Sequence, residues 1–173
     1  MWKRRPSFIK RLFSRLQPAL PFIECVKMGI KALITITILV AIGHFSGHPL
    51  VIAPFAASCI SVYTAPSEEL AQPMNIIGGY FIACTIGILS LEFLPDTWWV
   101  LGLMLSVTIT LMAYFRVTHP PASAIPFIMF IYHHNDDVVM KVMIPAILGS
   151  FCLIVIALVL HNLPFAKREY PKK

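Results

Sequence analysis

Four long apolar runs, at about 27–46, 74–94, 98–115 and 138–160, constrain this chain more than any other feature. Each approaches the roughly 20 residues that an α-helix needs to cross a hydrocarbon core. The surface a soluble fold would require is missing. Of 173 residues, 58% are hydrophobic and only 13% are Asp, Glu, Lys or Arg, about half the charged share of an ordinary soluble domain. A lipid bilayer removes that requirement, because it accepts apolar side chains on the outside of the protein. The expected fold is an all-α polytopic membrane protein in one domain, with about four transmembrane helices plus two short broken or re-entrant helices.

The charge sits at the ends. Residues 1–31 carry eight bases: Lys3, Arg4, Arg5, Lys10, Arg11, Arg15, Lys27 and Lys31. Lys167, Arg168, Lys172 and Lys173 close the chain, and between 32 and 166 only Arg116 and Lys141 are basic. Bases flanking apolar spans predict both termini on the cytoplasmic side of an inner (plasma) membrane. They form no separate domain of the kind that binds nucleic acid, so no nucleic-acid partner is expected. Residues 7–17 read as a short interfacial helix, with Phe8, Ile9, Leu12, Phe13 and Leu16 on one face and Lys10, Arg11 and Arg15 towards lipid phosphates. Cys25, Cys59, Cys84 and Cys152 stand far apart without CxxC spacing and read as free thiols.

Two shorter stretches, 50–63 and 122–132, lie between the long runs. Each follows a His-Pro pair (His48-Pro49, His119-Pro120) and contains a further proline (Pro54, Pro126). Broken helices of this kind build central binding sites in transporters. The chain also matches itself at a shift of 71–73. Residues 34–38 resemble 107–111, and Ile77-Gly78-Gly79-Tyr80 resembles Leu148-Gly149-Ser150-Phe151. An internal repeat is therefore expected. If the short stretches are re-entrant, there are four spans and parallel repeats. If they cross as broken helices, there are six segments and inverted repeats, which puts Arg116 inside.

Two polar constellations are the candidate site. In the first, Pro66 and Ser67 precede Glu68 and Glu69, and Ser67 has the form of an N-cap. Gln72, Pro73 and Asn75 follow, with Gly78 and Gly79 opening the next span where another backbone can approach closely. The second is Thr118-His119-Pro120-Pro121-Ala122-Ser123, where Pro121 suits a helix start and His119 can donate, accept or carry a proton. Ser67, Gln72, Asn75, Thr118, His119 and Ser123 are the expected solute-binding residues. Pro66, Pro73, Gly78, Gly79, Pro120 and Pro121 are the expected structural motif. The competing reading makes both constellations capped turns at a close helix crossing. His133 and His134 before Asp136 and Asp137 read as a solvated loop, as do Glu92 and Asp96, so no metal and no cofactor are expected.

His119-Pro120-Pro121, followed by small residues, resembles the signature of the HPP family of integral membrane proteins. Ala56-Ala57-Ser58, Pro66-Ser67 and Ala71-Gln72-Pro73, with Asn75 and Gly78-Gly79, resemble that family's other characteristic region. The resemblance implies an HPP-type transmembrane domain over 26–162, after a basic N-terminal interfacial segment (1–25) and before a basic tail (163–173). It also implies a transporter-like protein, since plant relatives are associated with nitrite transport. Met74 stands where many members have arginine, Tyr80 where many have histidine, and Glu68-Glu69 where Ser-Pro is typical. These exchanges remove a cation and add two acids, which counts against an anionic solute.

The leading expectation is a transporter or channel for a small solute, with nitrite or another small anion first. The rival is a structural or regulatory membrane subunit without transport activity. An enzyme is not expected, because no P-loop, GxSxG or HExxH occurs. With few spans per repeat, a homo-oligomer in the lipid bilayer is the expected assembly.

Overall fold

Prolines and glycines decide where the helices begin and end. A computed structural model describes residues 9, 12–14, 17–48, 50–132, 134, 137–163 and 170–171. The expected interfacial helix at 7–17 lies largely outside these residues, as do His133 and Asp136. Helix α1 (Phe22–Ser46) follows Pro21 and stops at Gly47, whose φ of 73° is the left-handed conformation that glycine adopts freely. Helices α2 (Pro54–Thr64) and α3 (Pro73–Phe93) each start on a proline, where its missing N–H leaves no intrahelical bond unmade. Helix α4 (Trp98–Tyr114) ends just before Arg116, which takes a φ of 60°. A 3₁₀ turn, Pro120–Ser123, leads into α5 (Ala124–Ile131). Helix α6 (Val138–Ile144) continues through a π-helical segment, Pro145–Gly149, into α7 (Ser150–His161). Pro145 has no N–H for the helical ladder, and the backbone widens there instead of breaking.

Phe22–Ser46, Pro73–Phe93 and Val138–His161 are long and apolar enough to cross a membrane. The shorter elements also run the length of the bundle. Val51 shares a cavity wall with Val40 and Gly43 near the end of α1. Thr64 shares one with Met28 near its start. Residues 50–64 therefore retrace α1. Roughly 16 Å of helix in α2 is completed by the non-helical residues before it. In the second half, Gly79 abuts His119 and Gly87 abuts Met129, so 119–129 runs beside α3 in the same direction. Phe130 then packs with Ile86, Val100 and Met104, at the level where α4 began. Asp137 and Lys141 share a cavity with His48, and His161 ends beside Val62 and Lys31.

The chain thus traverses the bundle six times, in two runs of three elements with opposite sense. This is the broken-helix alternative of the sequence reading, not the re-entrant one. Arg116 lies at the same end as Lys27, Lys31 and the 64–73 loop, and Asp96 and Asp137 lie at the opposite end.

Helix α3 is the centre. Its buried residues, Ile76, Gly79, Tyr80, Ala83, Gly87 and Ser90 among them, recur every three or four positions along one face. Helices α4, α5 and α7 pack on it. Helix α1 buries only Thr35, Leu39 and Gly43, one line at a spacing of four, against α2 and α7. Its other faces expose Leu33, Val40 and Phe45, a distribution that water would penalise and lipid accepts. The two halves interlock reciprocally. A Cβ on Gly79 would come within 2.8 Å of the His119 Cβ and 3.3 Å of the Val117 carbonyl. Gly149, the counterpart of Gly78 under the repeat, meets the Leu50 carbonyl and the Phe55 ring.

Candidate functional site

The close approach at Gly79 brings a histidine into the interior. His119 has no exposed surface, and neither does Ser58 or Tyr80. His119 Nδ1 lies 2.8 Å from the Leu70 carbonyl. A carbonyl only accepts, so Nδ1 carries the proton. Nε2 is 2.8 Å from Ser58 Oγ, and Ser58 Oγ is 2.9 Å from the Tyr80 hydroxyl. In the neutral ring Tyr80 donates to Ser58, and Ser58 donates to Nε2. Protonation at Nε2 reverses both hydroxyl bonds, with Nε2–H donating to Ser58 and Ser58 to Tyr80. No heavy atom has to move. Tyr80 also packs its ring on His119, centroids 5.7 Å apart, and edge-on against Phe55 at 5.3 Å.

The two sequence constellations do meet. Asn75 donates to the Thr118 carbonyl at 3.0 Å, and the Leu70 carbonyl holds His119. Gln72 and Ser123 make local hydrogen bonds. Gln72 donates to the Pro66 and Glu68 carbonyls at 2.9 Å each, closing the 66–72 loop. Ser123 donates to the Pro120 carbonyl at 2.7 Å. Gln72 precedes α3 and turns back into the loop, whereas Asn75, in the first turn of α3, reaches the Thr118 carbonyl. Ser67 makes no cap: the short Glu69–Ala71 turn begins at Glu68 without a side-chain cap. Ser67 instead lines an open cavity of about 980 Å³ with Gln17, Cys25, Met28, Thr64 and Glu68. Pro66 is buried, and Pro73 and Pro120 stand at helix starts, with Pro121 the next residue.

A second buried polar group lies at the same end of the bundle, and sequence reasoning missed it. His161 Nε2 donates to the Val62 carbonyl at 3.2 Å, and its Nδ1 lies 3.4 Å from Lys31 Nζ. Lys31 is partly buried and points towards His161. The Tyr63 ring stacks on His161 at 5.4 Å. The Tyr63 hydroxyl bonds Thr35, which itself donates to the Lys31 carbonyl at 2.9 Å. Ser58 and Tyr80 were also missed as functional residues. The signal for them was the family pattern, which includes Ala56-Ala57-Ser58 and has histidine at the position of Tyr80. Among the described residues no group of His, Cys, Asp and Glu is placed to hold a metal. His134 pairs only loosely with Asp96, at 3.7 Å, and both are exposed.

The transmembrane region of the HPP family matches residues 17–171, with the His-Pro-Pro turn on the buried cluster. The chain belongs to the HPP family. Two transmembrane proteins of Dictyostelium discoideum are similar to it. One is 28% identical over 166 residues, 90% of this chain and 58% of the relative. The other is 30% identical over 123 residues, 68% of this chain and 39% of the relative. The chain thus spans between two fifths and three fifths of the relatives it matches. No solved structure matches this HPP chain.

Proposed function

We propose that this HPP protein moves a small solute across an inner membrane, with His119 at the centre of the path. The observation that supports this reading is a fully buried imidazole, hydrogen-bonded to the Leu70 carbonyl and to the Ser58 hydroxyl, which in turn bonds the Tyr80 hydroxyl, where two oppositely running halves interlock. Ionisable groups inside a membrane domain are costly and concentrate at transport sites. Inverted halves with broken helices are a recurring transporter architecture. A solute would replace one of the contacts of His119, and the reversible hydroxyl chain would let a proton accompany it. The cavity beside Ser67 would be its vestibule. The positive-inside rule supports a cytoplasmic position for that end and for both termini.

Nitrite or another small anion is the proposed substrate. Of the departures from the family pattern, Met74 is exposed on the surface, so its missing cation is not one that would line the buried cluster. Tyr80 is inside the cluster and would set selectivity. No catalytic role is proposed for any residue, and a homo-oligomer is the proposed assembly.

A structural or regulatory subunit is the second reading. It is favoured by Gln72, Asn75 and Ser123, which donate to backbone carbonyls and hold loops together. Nitrite flux into proteoliposomes, with and without a pH gradient, separates the two. Saturable flux above empty liposomes, at least tenfold lower in His119→Ala, is the expected result. Equal flux with and without protein under both conditions counts against nitrite transport.

A further inference from the structure

We propose that Tyr170 is a positioning residue for His119. The two side chains hold successive carbonyls of one short turn. The Tyr170 hydroxyl donates to the Ala71 carbonyl at 2.8 Å, and His119 Nδ1–H donates to the Leu70 carbonyl at 2.8 Å. Both carbonyls belong to the three-residue Glu69–Ala71 turn. A three-residue turn has little stiffness of its own, because each 3₁₀ bond is of poorer geometry than an α-helical one. Its orientation is therefore set by what grips it from outside, and Tyr170 is one such grip, 99 residues away in sequence.

The position of Tyr170 is itself built. Only 2% of the residue is exposed. Its ring lies 5.3 Å from that of His161, which in turn stacks on Tyr63. Asn162 donates to the Tyr170 carbonyl at 2.6 Å. The ring, backbone and hydroxyl are thus fixed by three different contacts, and the hydroxyl aims at the turn. Burial pushes the phenol well above its ordinary pKa, so it remains a donor. Its removal frees the Ala71 carbonyl and lets the turn rotate. The Leu70 carbonyl then no longer selects the Nδ1–H form of His119.

The test reads the imidazole directly, by nitrogen-15 NMR of histidine-labelled protein in nanodiscs, with the His119 signals identified from His119→Gln. Wild type is expected to show the Nδ1–H form. In Tyr170→Phe, which keeps the ring and loses only the hydroxyl, the Nε2–H form is expected to rise several-fold. Should that variant fail to fold, Asn162→Leu releases the Tyr170 backbone without touching the turn and is expected to give the same change. Unchanged His119 signals in whichever variant folds overturn the proposal. Its functional weight rests on the transport reading of His119, but the measurement needs no transport. Flux can fail while the tautomer responds, or the reverse, so the two failures are distinguishable.

Discussion

The two His-Pro corners that the sequence pairs at a shift of 71 differ sharply in the structure. His119 turns inward, is fully buried and bonds Leu70 and Ser58. His48, its counterpart under the repeat, is exposed, and its backbone N–H donates to Ser46 Oγ at 3.4 Å. The supporting positions diverge in parallel. Tyr80, whose hydroxyl completes the buried cluster, corresponds to Phe151, which is 57% exposed. Each corner has a close glycine contact, at positions one residue apart under the repeat: Gly79 under His119, and Gly149, the counterpart of Gly78, under Leu50. Both corners are closely packed, and only the His119 corner holds a buried polar cluster.

The largest test of this asymmetry is to remove both histidines in turn. His119→Ala strands the Leu70 carbonyl, takes from Ser58 Oγ one of its two partners and leaves a cavity. Its expected cost is about 2–4 kcal/mol of stability. His48→Ala should stay within about 0.5 kcal/mol, as exposed substitutions do. Thermal unfolding in detergent measures both. Equal losses would mean that the corners are equivalent and that burial at His119 carries no special role.

The glycines come next. Gly79→Ala forces a Cβ against His119 and the Val117 carbonyl, and overpacking of this kind costs about 1–3 kcal/mol. Gly102 in α4 has open space around it, so Gly102→Ala should be neutral or stabilising, by up to about 1 kcal/mol, because alanine is the better helix former. A neutral Gly79→Ala would show that the halves can slide apart at this point.

These contrasts also mark how far the sequence could be read. The apolar runs, the His-Pro pairs and the Gly-Gly approach were visible because hydropathy and backbone constraint are local properties. The meeting of Asn75 with Thr118 followed from them. The partners of His119 were not visible. A serine inside Ala56-Ala57-Ser58-Cys59 looks like a small packing residue, and a tyrosine in an apolar span looks like core. Only the three-dimensional crossing of α2 and α3 over the Pro120–Ser123 turn gives them a shared purpose. His161 and Tyr170 were hidden for a different reason. They lie at or beyond the end of the last apolar run, where neighbouring bases dominate the composition and the tail looks like a solvated flank.

The smallest effect, and the sharpest, concerns the hydroxyl that one corner has and the other lacks. Tyr80→Phe removes one hydrogen bond while Ser58 keeps His119 as a partner, so the cost should be about 0.5–1.5 kcal/mol. The reciprocal change, Phe151→Tyr, adds a hydroxyl at an exposed apolar site and gains no partner. Its stability should change by less than about 0.5 kcal/mol. Flux reads the same pair differently. Tyr80→Phe cuts the hydroxyl chain at its far end without unseating His119, so a pH-gradient-driven component should fall while folding persists. Phe151→Tyr should leave that component intact. If Tyr80→Phe keeps the full gradient response, the chain stops at Ser58, and the tyrosine serves packing against Phe55 instead of proton movement.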